Sequence, residues 1–127
     1  MQHFFDVLKF SDNGLIPAII ADDITRQPLV LCYMTREAVE KTLETGKIHV
    51  FRRSKGRLMM KGETSGHIEI VKDVRVDCEG NSLVFFVEQK VAACHAGYFS
   101  CYYRAYNAEN DSWGVVEERI FDPEKVY

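Results

Sequence analysis

The chain has 127 residues and a formal net charge of −3, enough for one domain and without the global positive charge that draws nucleic acid or an anionic membrane. No apolar run is long enough to span a bilayer, and the opening MQHFFDVLKFSDNG lacks the basic-then-apolar order of a secretion signal. A cytoplasmic, reducing setting is therefore expected, where the four cysteines serve as core residues, metal ligands or catalysts rather than disulfides.

Leu15–Ala21 and Pro28–Met34 are apolar runs separated by DDITRQ, which predicts a hairpin. Cys32, inside PLVLCYM, is expected to be a buried core thiol. Thr35 then opens a helix over TREAVEKTLETG, with Thr35 as N-cap and Gly46 as the stop. Its narrow apolar stripe of Ala38, Val39, Thr42 and Leu43 should cover one side of a sheet. Further strands are predicted at Ile48–Arg52, Leu58–Lys61, Ile68–Cys78, Ser82–Gln89, Cys101–Tyr106 and Gly114–Ile120. FDPEKVY should form a turn with a short helical end, and Trp113 with the tail an added strand and a packed terminus without chemistry. One helix among about eight short strands predicts a mainly β (α+β), barrel-like single domain over residues 1–127, capped by the helix.

Three segments could carry chemistry. Gly80-Asn81 is expected to be a two-residue hairpin turn. That turn would set Asp77 and Glu79 on one strand face and Cys78 on the other. With Asn81 at the tip, Asp77 and Glu79 make a plausible hard-cation site; the plainer reading is a solvated hairpin end. Cys94 and Cys101 enclose six residues that include His95 and Gly97. The pair can serve one zinc ion or be two buried thiols flanking a turn. A third thiolate from Cys78 would leave an open position for water, as in catalytic zinc sites. A straight strand over Ser82–Gln89 carries the chain roughly 23 Å from the hairpin tip. Cys78 would then meet Cys94 and Cys101 of a second subunit, giving two identical sites per homodimer. The third segment, FRRSKGRLMMKGETSGH, crowds Arg52, Arg53, Lys55, Arg57 and Lys61 before Gly62, Thr64, Ser65 and Gly66. Such a loop can cradle phosphate, and otherwise is a solvated basic turn.

In order, GLIPAII, LCYMTREAVEKTLETGK, RRSKGRLMMKGETSG, VDCEGNSLVFFVEQ and ACHAGYFSCYYR resemble the phosphoribosyl-AMP cyclohydrolase family of histidine biosynthesis, from about Gly14 to Arg104. The resemblance implies a β pseudobarrel capped by a helix, in a homodimer. The fused pyrophosphatase of some relatives is not expected here, because the chain offers no second domain. It implies zinc on Cys78, Cys94 and Cys101 and magnesium on Asp77, Glu79 and Asn81. Zinc-bound hydroxide would attack C6 of the adenine ring of phosphoribosyl-AMP and the N1–C6 bond would open. His95 is the candidate for proton transfer. Arg52, Arg53, Ser54, Lys55, Lys61, Gly62, Thr64, Ser65 and Gly66 would take the two monophosphates. Glu79 and Asn81 stand where the family usually has aspartates, which predicts weaker magnesium binding. Met59 stands in place of a common tryptophan, and Phe99 in place of a basic residue. The alternatives are a paralogue acting on a related purine nucleotide and a non-catalytic, zinc-stabilised nucleotide-binding dimer.

Overall fold

Ile16, Ala18 and Ile20 alternate with Pro17 and Ile19, and that period of two decides which face of the first strand becomes core. The computed structural model describes residues 3–63, 66–90 and 97–120. In it β1 (Ile16–Asp22) buries all three residues, and β2 (Pro28–Met34) folds back antiparallel to it. The helix α1 (Arg36–Thr45) follows as expected. Thr35 Oγ1 accepts the Ala38 N–H at 3.1 Å, and Gly46 ends the helix in the left-handed conformation. Ala38, Val39 and Thr42 are fully buried. The Thr42 hydroxyl donates to the Ala38 carbonyl at 2.8 Å and accepts the His49 N–H at 2.9 Å, which ties the helix to the next strand.

That strand, β3 (His49–Arg52), pairs with β4 (Arg57–Met60) as a separate hairpin. β5 (Glu69–Val76) and β6 (Leu83–Gln89) complete a four-stranded sheet in the order β2-β1-β6-β5. The central β1–β6 ladder is parallel, with Ala18 opposite Leu83, and the other ladders of this sheet are antiparallel. Ile16, Ala18, Ile20, Met34, Val39, Ile48, Val50, Leu83, Phe85 and Val87 form the core between this sheet, the helix and the β3–β4 hairpin. No helix among the described residues is long and apolar enough to cross a membrane.

The expected mainly β architecture with one helix is present, but the barrel is not sealed by a continuous ladder. β3 reaches the β5 edge through the Lys47–Ile70 bridge and an Ile48 N–H to Glu69 carbonyl bond of 3.0 Å. On its other side it packs against β2 without joining the sheet. A groove is left along that seam.

Two other expectations are corrected. The strand predicted from Cys101 begins only at Arg104, as β7 (Arg104–Asn107), paired with β8 (Ser112–Val115). Its first residues are drawn aside by β2. The Ser100 hydroxyl donates to the Pro28 carbonyl at 2.7 Å, and the Cys101 N–H donates to the Leu29 carbonyl at 2.7 Å. The β7–β8 hairpin is exposed at every residue, Trp113 included at 69%. It is therefore not a packed terminus, and the FDPEKVY ending lies outside the described residues.

Candidate functional site

The seam between β2 and β3 opens into a groove of about 390 Å³. Val30, Leu31, Cys32 and Tyr33 form one wall; Val50, Phe51, Arg52, Arg53 and Ser54 form the other, with Lys61 and Cys101 at the ends. The position along the strand explains the mixed chemistry. Val50 and Arg52 share one face of β3; Val50 is buried in the core, while Arg52, at the strand's end, and the turn that follows are exposed at the rim. Arg53 is steered across the seam, its guanidinium lying 4.3 Å from the Tyr33 ring centroid. Four predicted phosphate-binding residues, Arg52, Arg53, Ser54 and Lys61, thus meet one predicted zinc ligand, Cys101. Cys101 also borders a neighbouring hollow of about 320 Å³ with Tyr102, Arg104 and Trp113.

The remaining basic and loop residues divide. Lys55 is exposed in the β3–β4 turn and does not line the groove. Arg57 pairs with Glu63 at 3.5 Å, at an exposed site where such a pair contributes little. Gly62 (φ +88°) carries the chain so close to His67 that an added Cβ would lie 2.5 Å from the His67 carbonyl carbon. Gly66 (φ +79°) faces open space. Thr64, Ser65, Cys94 and His95 lie outside the described residues.

Cys32 was expected in the core, and it does lie half-buried beneath the groove. Its thiol is pushed up to about 12, first by burial and then by the nearby Glu69 carboxyl, against the pull of Lys61 and Arg52. It donates to the Ala18 carbonyl at 3.5 Å. A thiol held neutral in this way is a poor nucleophile.

The magnesium candidates sit elsewhere, and their geometry corrects the predicted two-residue turn. β5 stops at Val76, which pairs with Leu83, so residues 77–82 form a wider connection. Asp77, Cys78 and Glu79 therefore do not alternate across a strand. Asp77 builds the turn itself: one carboxylate oxygen accepts the Asn81 N–H at 2.7 Å and the Ser82 N–H at 3.2 Å. Desolvation works to raise this carboxyl, but N–H donors from Asn81, Ser82 and Gly80 outweigh it and hold Asp77 below the usual carboxylate range. Cys78 is exposed on the same turn. Among the described residues, no three His, Cys, Asp or Glu side chains gather at one point.

Sequence reasoning missed Tyr33 as a groove wall, and it missed the buried Glu69 with the half-buried Gln89 opposite it on β6. Glu69 is fully buried with a carboxyl pushed up to about 7, chiefly by desolvation, with Lys61 pulling the other way. Both Glu69 carboxylate oxygens and Gln89 Oε1 are buried without a hydrogen-bond partner among the described residues.

Comparison with known proteins gives a consistent result. A family model described as Phosphoribosyl-AMP cyclohydrolase matches residues 30–103. The chain is 50% identical over 123 residues to "Phosphoribosyl-AMP cyclohydrolase" of Methanosarcina barkeri (strain Fusaro / DSM 804), covering 97% of this chain and 91% of the relative. It is 49% identical over 128 residues to the protein of the same name from Pelotomaculum thermopropionicum (strain DSM 13744 / JCM 10971 / SI), covering 100% and 98%. It also matches "Histidine biosynthesis bifunctional protein HisIE" of Thermoanaerobacter pseudethanolicus (strain ATCC 33223 / 39E) at 42% identity over 127 residues, spanning 58% of that longer protein.

Proposed function

Since the chain belongs to the phosphoribosyl-AMP cyclohydrolase family, we propose that it hydrolyses the N1–C6 bond of the adenine ring of phosphoribosyl-AMP. Within the structure, one observation carries this reading: Arg52, Arg53, Ser54 and Lys61 share a groove with Cys101. Cationic forks and a hydroxyl suited to a phosphorylated nucleotide therefore border a candidate metal ligand.

Water adds to C6, the N1–C6 bond breaks and N1 takes up a proton. Three thiolates from Cys78, Cys94 and Cys101 are a soft donor set of the type that holds zinc with a position left open. Zinc bound there would supply Lewis-acid activation of water near neutral pH. Arg52, Arg53 and Lys61 hold phosphate by charge-assisted hydrogen bonds and so fix where the ring lies. His95 follows Cys94 in sequence and is the proposed proton carrier. Asp77 and Glu79 offer exposed carboxylates, and Asn81 an amide oxygen, to a hydrated magnesium ion. The structure also suits the proposed sharing of each site between two chains. Cys78 lies at the β5–β6 turn, whereas Gln89, at the far end of β6, holds the Phe99 carbonyl at 2.8 Å, two residues before Cys101.

The test is direct. Purified protein supplied with zinc and magnesium should convert phosphoribosyl-AMP to the ring-opened product, followed by purine absorbance. Arg52→Ala should raise KM about tenfold or more with a smaller change in kcat, because a charge-assisted contact is lost in ground and transition states alike. Folded, metal-replete protein that leaves phosphoribosyl-AMP intact overturns the proposal.

A further inference from the structure

Glu69 and Gln89 face each other directly across the β5–β6 ladder. Opposed residues of an antiparallel pair project to the same face, with Cβ atoms about 5 Å apart. This face is the interior, since Glu69 is fully buried and Gln89 half-buried. Three acceptor oxygens, two on Glu69 and one on Gln89, are sealed from water there without a donor among the described residues. Buried acceptors in that state are costly, and a carboxylate among them more so. Gln89 is nevertheless anchored at its other end, where Nε2 donates to the Phe99 carbonyl at 2.8 Å. Phe99 packs against the core, Ser100 is tied to Pro28 and Cys101 to Leu29. The Phe99–Cys101 segment is thus pinned at three points, and Gln89 is the pin that leads back to a titratable group.

We propose that Glu69 keeps its proton in the folded protein and donates it to Gln89 Oε1, making Glu69 a positioning residue that holds Cys101 in place through Gln89 and Phe99. One proton satisfies the Gln89 oxygen and removes the buried negative charge. It also fixes the amide orientation, because only with Oε1 towards Glu69 does Nε2 point at Phe99. Ionised Glu69 would instead attract Nε2, rotate the amide and release the Phe99 carbonyl. Among the described residues, the ionisable groups near Glu69 are Lys61, just after β4, the buried His67 two residues before Glu69, and Cys32 on β2, which itself feels Lys61, Arg52 and Cys101. Burial outweighs Lys61 and leaves the carboxyl at about 7, in keeping with a retained proton. The importance for activity rests on the reading of Cys101 as a site residue; the hydrogen bond itself does not.

The folded protein holds this proton to about pH 7, whereas the carboxyl's ordinary value is 4.5. Between those values the folded state binds more protons than the unfolded chain, so Glu69 makes stability fall as pH rises through that window. Glu69→Gln donates to Gln89 at every pH. Its Tm should match wild type near pH 5 and exceed it by several degrees at pH 8.

The deciding measurement is NMR of the Gln89 side-chain amide in metal-free protein. In wild type its resonances should titrate with a midpoint near 7, and in Glu69→Gln they should not move. In activity assays Glu69→Gln should keep wild-type kcat/KM at pH 6.5 and lose less than wild type above about pH 8. Glu69→Ala should be lower at every pH. If Glu69→Ala does not fold, the amide titration and the Glu69→Gln profile still decide. A wild-type Gln89 amide that does not titrate, or a Glu69→Gln pH profile that overlays wild type, overturns the proposal. Inactivity of wild type itself would count against the cyclohydrolase reading and leave the amide result standing.

Discussion

An equal mixture of Cys78→Ala and Cys101→Ala chains is expected to recover about a quarter of wild-type turnover, although neither variant is active alone. Each substitution removes a proposed zinc ligand. Even groups that merely support a ligand cost about 10–100-fold when lost, so each pure variant should fall by at least a hundredfold. In a mixed dimer, the intact Cys78 of one chain meets the intact Cys101 of the other and rebuilds one site. The second site is then doubly defective. Random exchange makes about half of the dimers mixed, which gives the quarter. Zinc content by elemental analysis should follow the same pattern. No recovery after demonstrated subunit exchange would place all three cysteines of a site on one chain.

Gly80→Ala should be strongly damaging although Gly80 lies outside the groove. Gly80 has φ +74°, and a Cβ there would collide with the Val7 carbonyl oxygen. Val7 ends the short 3-10 segment Phe4–Val7, and the Lys9 N–H is bonded to the Gly80 carbonyl at 2.8 Å. Left-handed strain alone costs about 1–2 kcal/mol. The collision must also push the N-terminal segment off the turn that carries Asp77, Cys78 and Glu79. Gly14→Ala separates the two effects, since Gly14 has φ +79° with nothing within 4 Å of an added Cβ. In urea unfolding, Gly80→Ala should lose about 2 kcal/mol more than Gly14→Ala. It should also lose activity under conditions where it remains folded. Equal losses in the two variants would show that the N-terminal contact does not order the turn.

The parts legible in the sequence were those set by near neighbours. Thr35 and Gly46 mark the helix because a cap and a left-handed stop act within one turn. The β1–β2 hairpin follows from two apolar runs and a polar break. The basic segment could be read as a candidate site, but its groove could not, because the opposing wall comes from β2. That wall depends on β3 packing against a strand to which it has no hydrogen-bonded ladder.

Glu69 shows why alternation alone misleads. In HIEIV the apolar residues Ile68 and Ile70 suggest an outward-facing glutamate, yet Glu69 is buried and both isoleucines are only half-buried. The irregularity between Val71 and Asp73 shifts the pairing by one residue, and a one-residue shift exchanges the faces of a strand. The β5–β6 turn was misjudged for a different reason. Gly80-Asn81 is a strong local signal, but the Asp77 carboxylate organises a wider connection around itself.

The parallel β1–β6 ladder has a consequence for how the chain reaches this structure. Ala18 must find Leu83, sixty-five residues downstream, before the centre of the sheet exists. Closing a loop of that length costs about 4 kcal/mol of chain entropy, with no local turn to assist. The β1–β2 and β3–β4 hairpins and the helix can form early from local contacts. The β5–β6 hairpin then has to dock between them as a unit. Until it does, β1 presents a bare apolar edge that could pair with another chain. Folding should therefore be slow for a domain of this size, and refolding yield should fall as protein concentration rises.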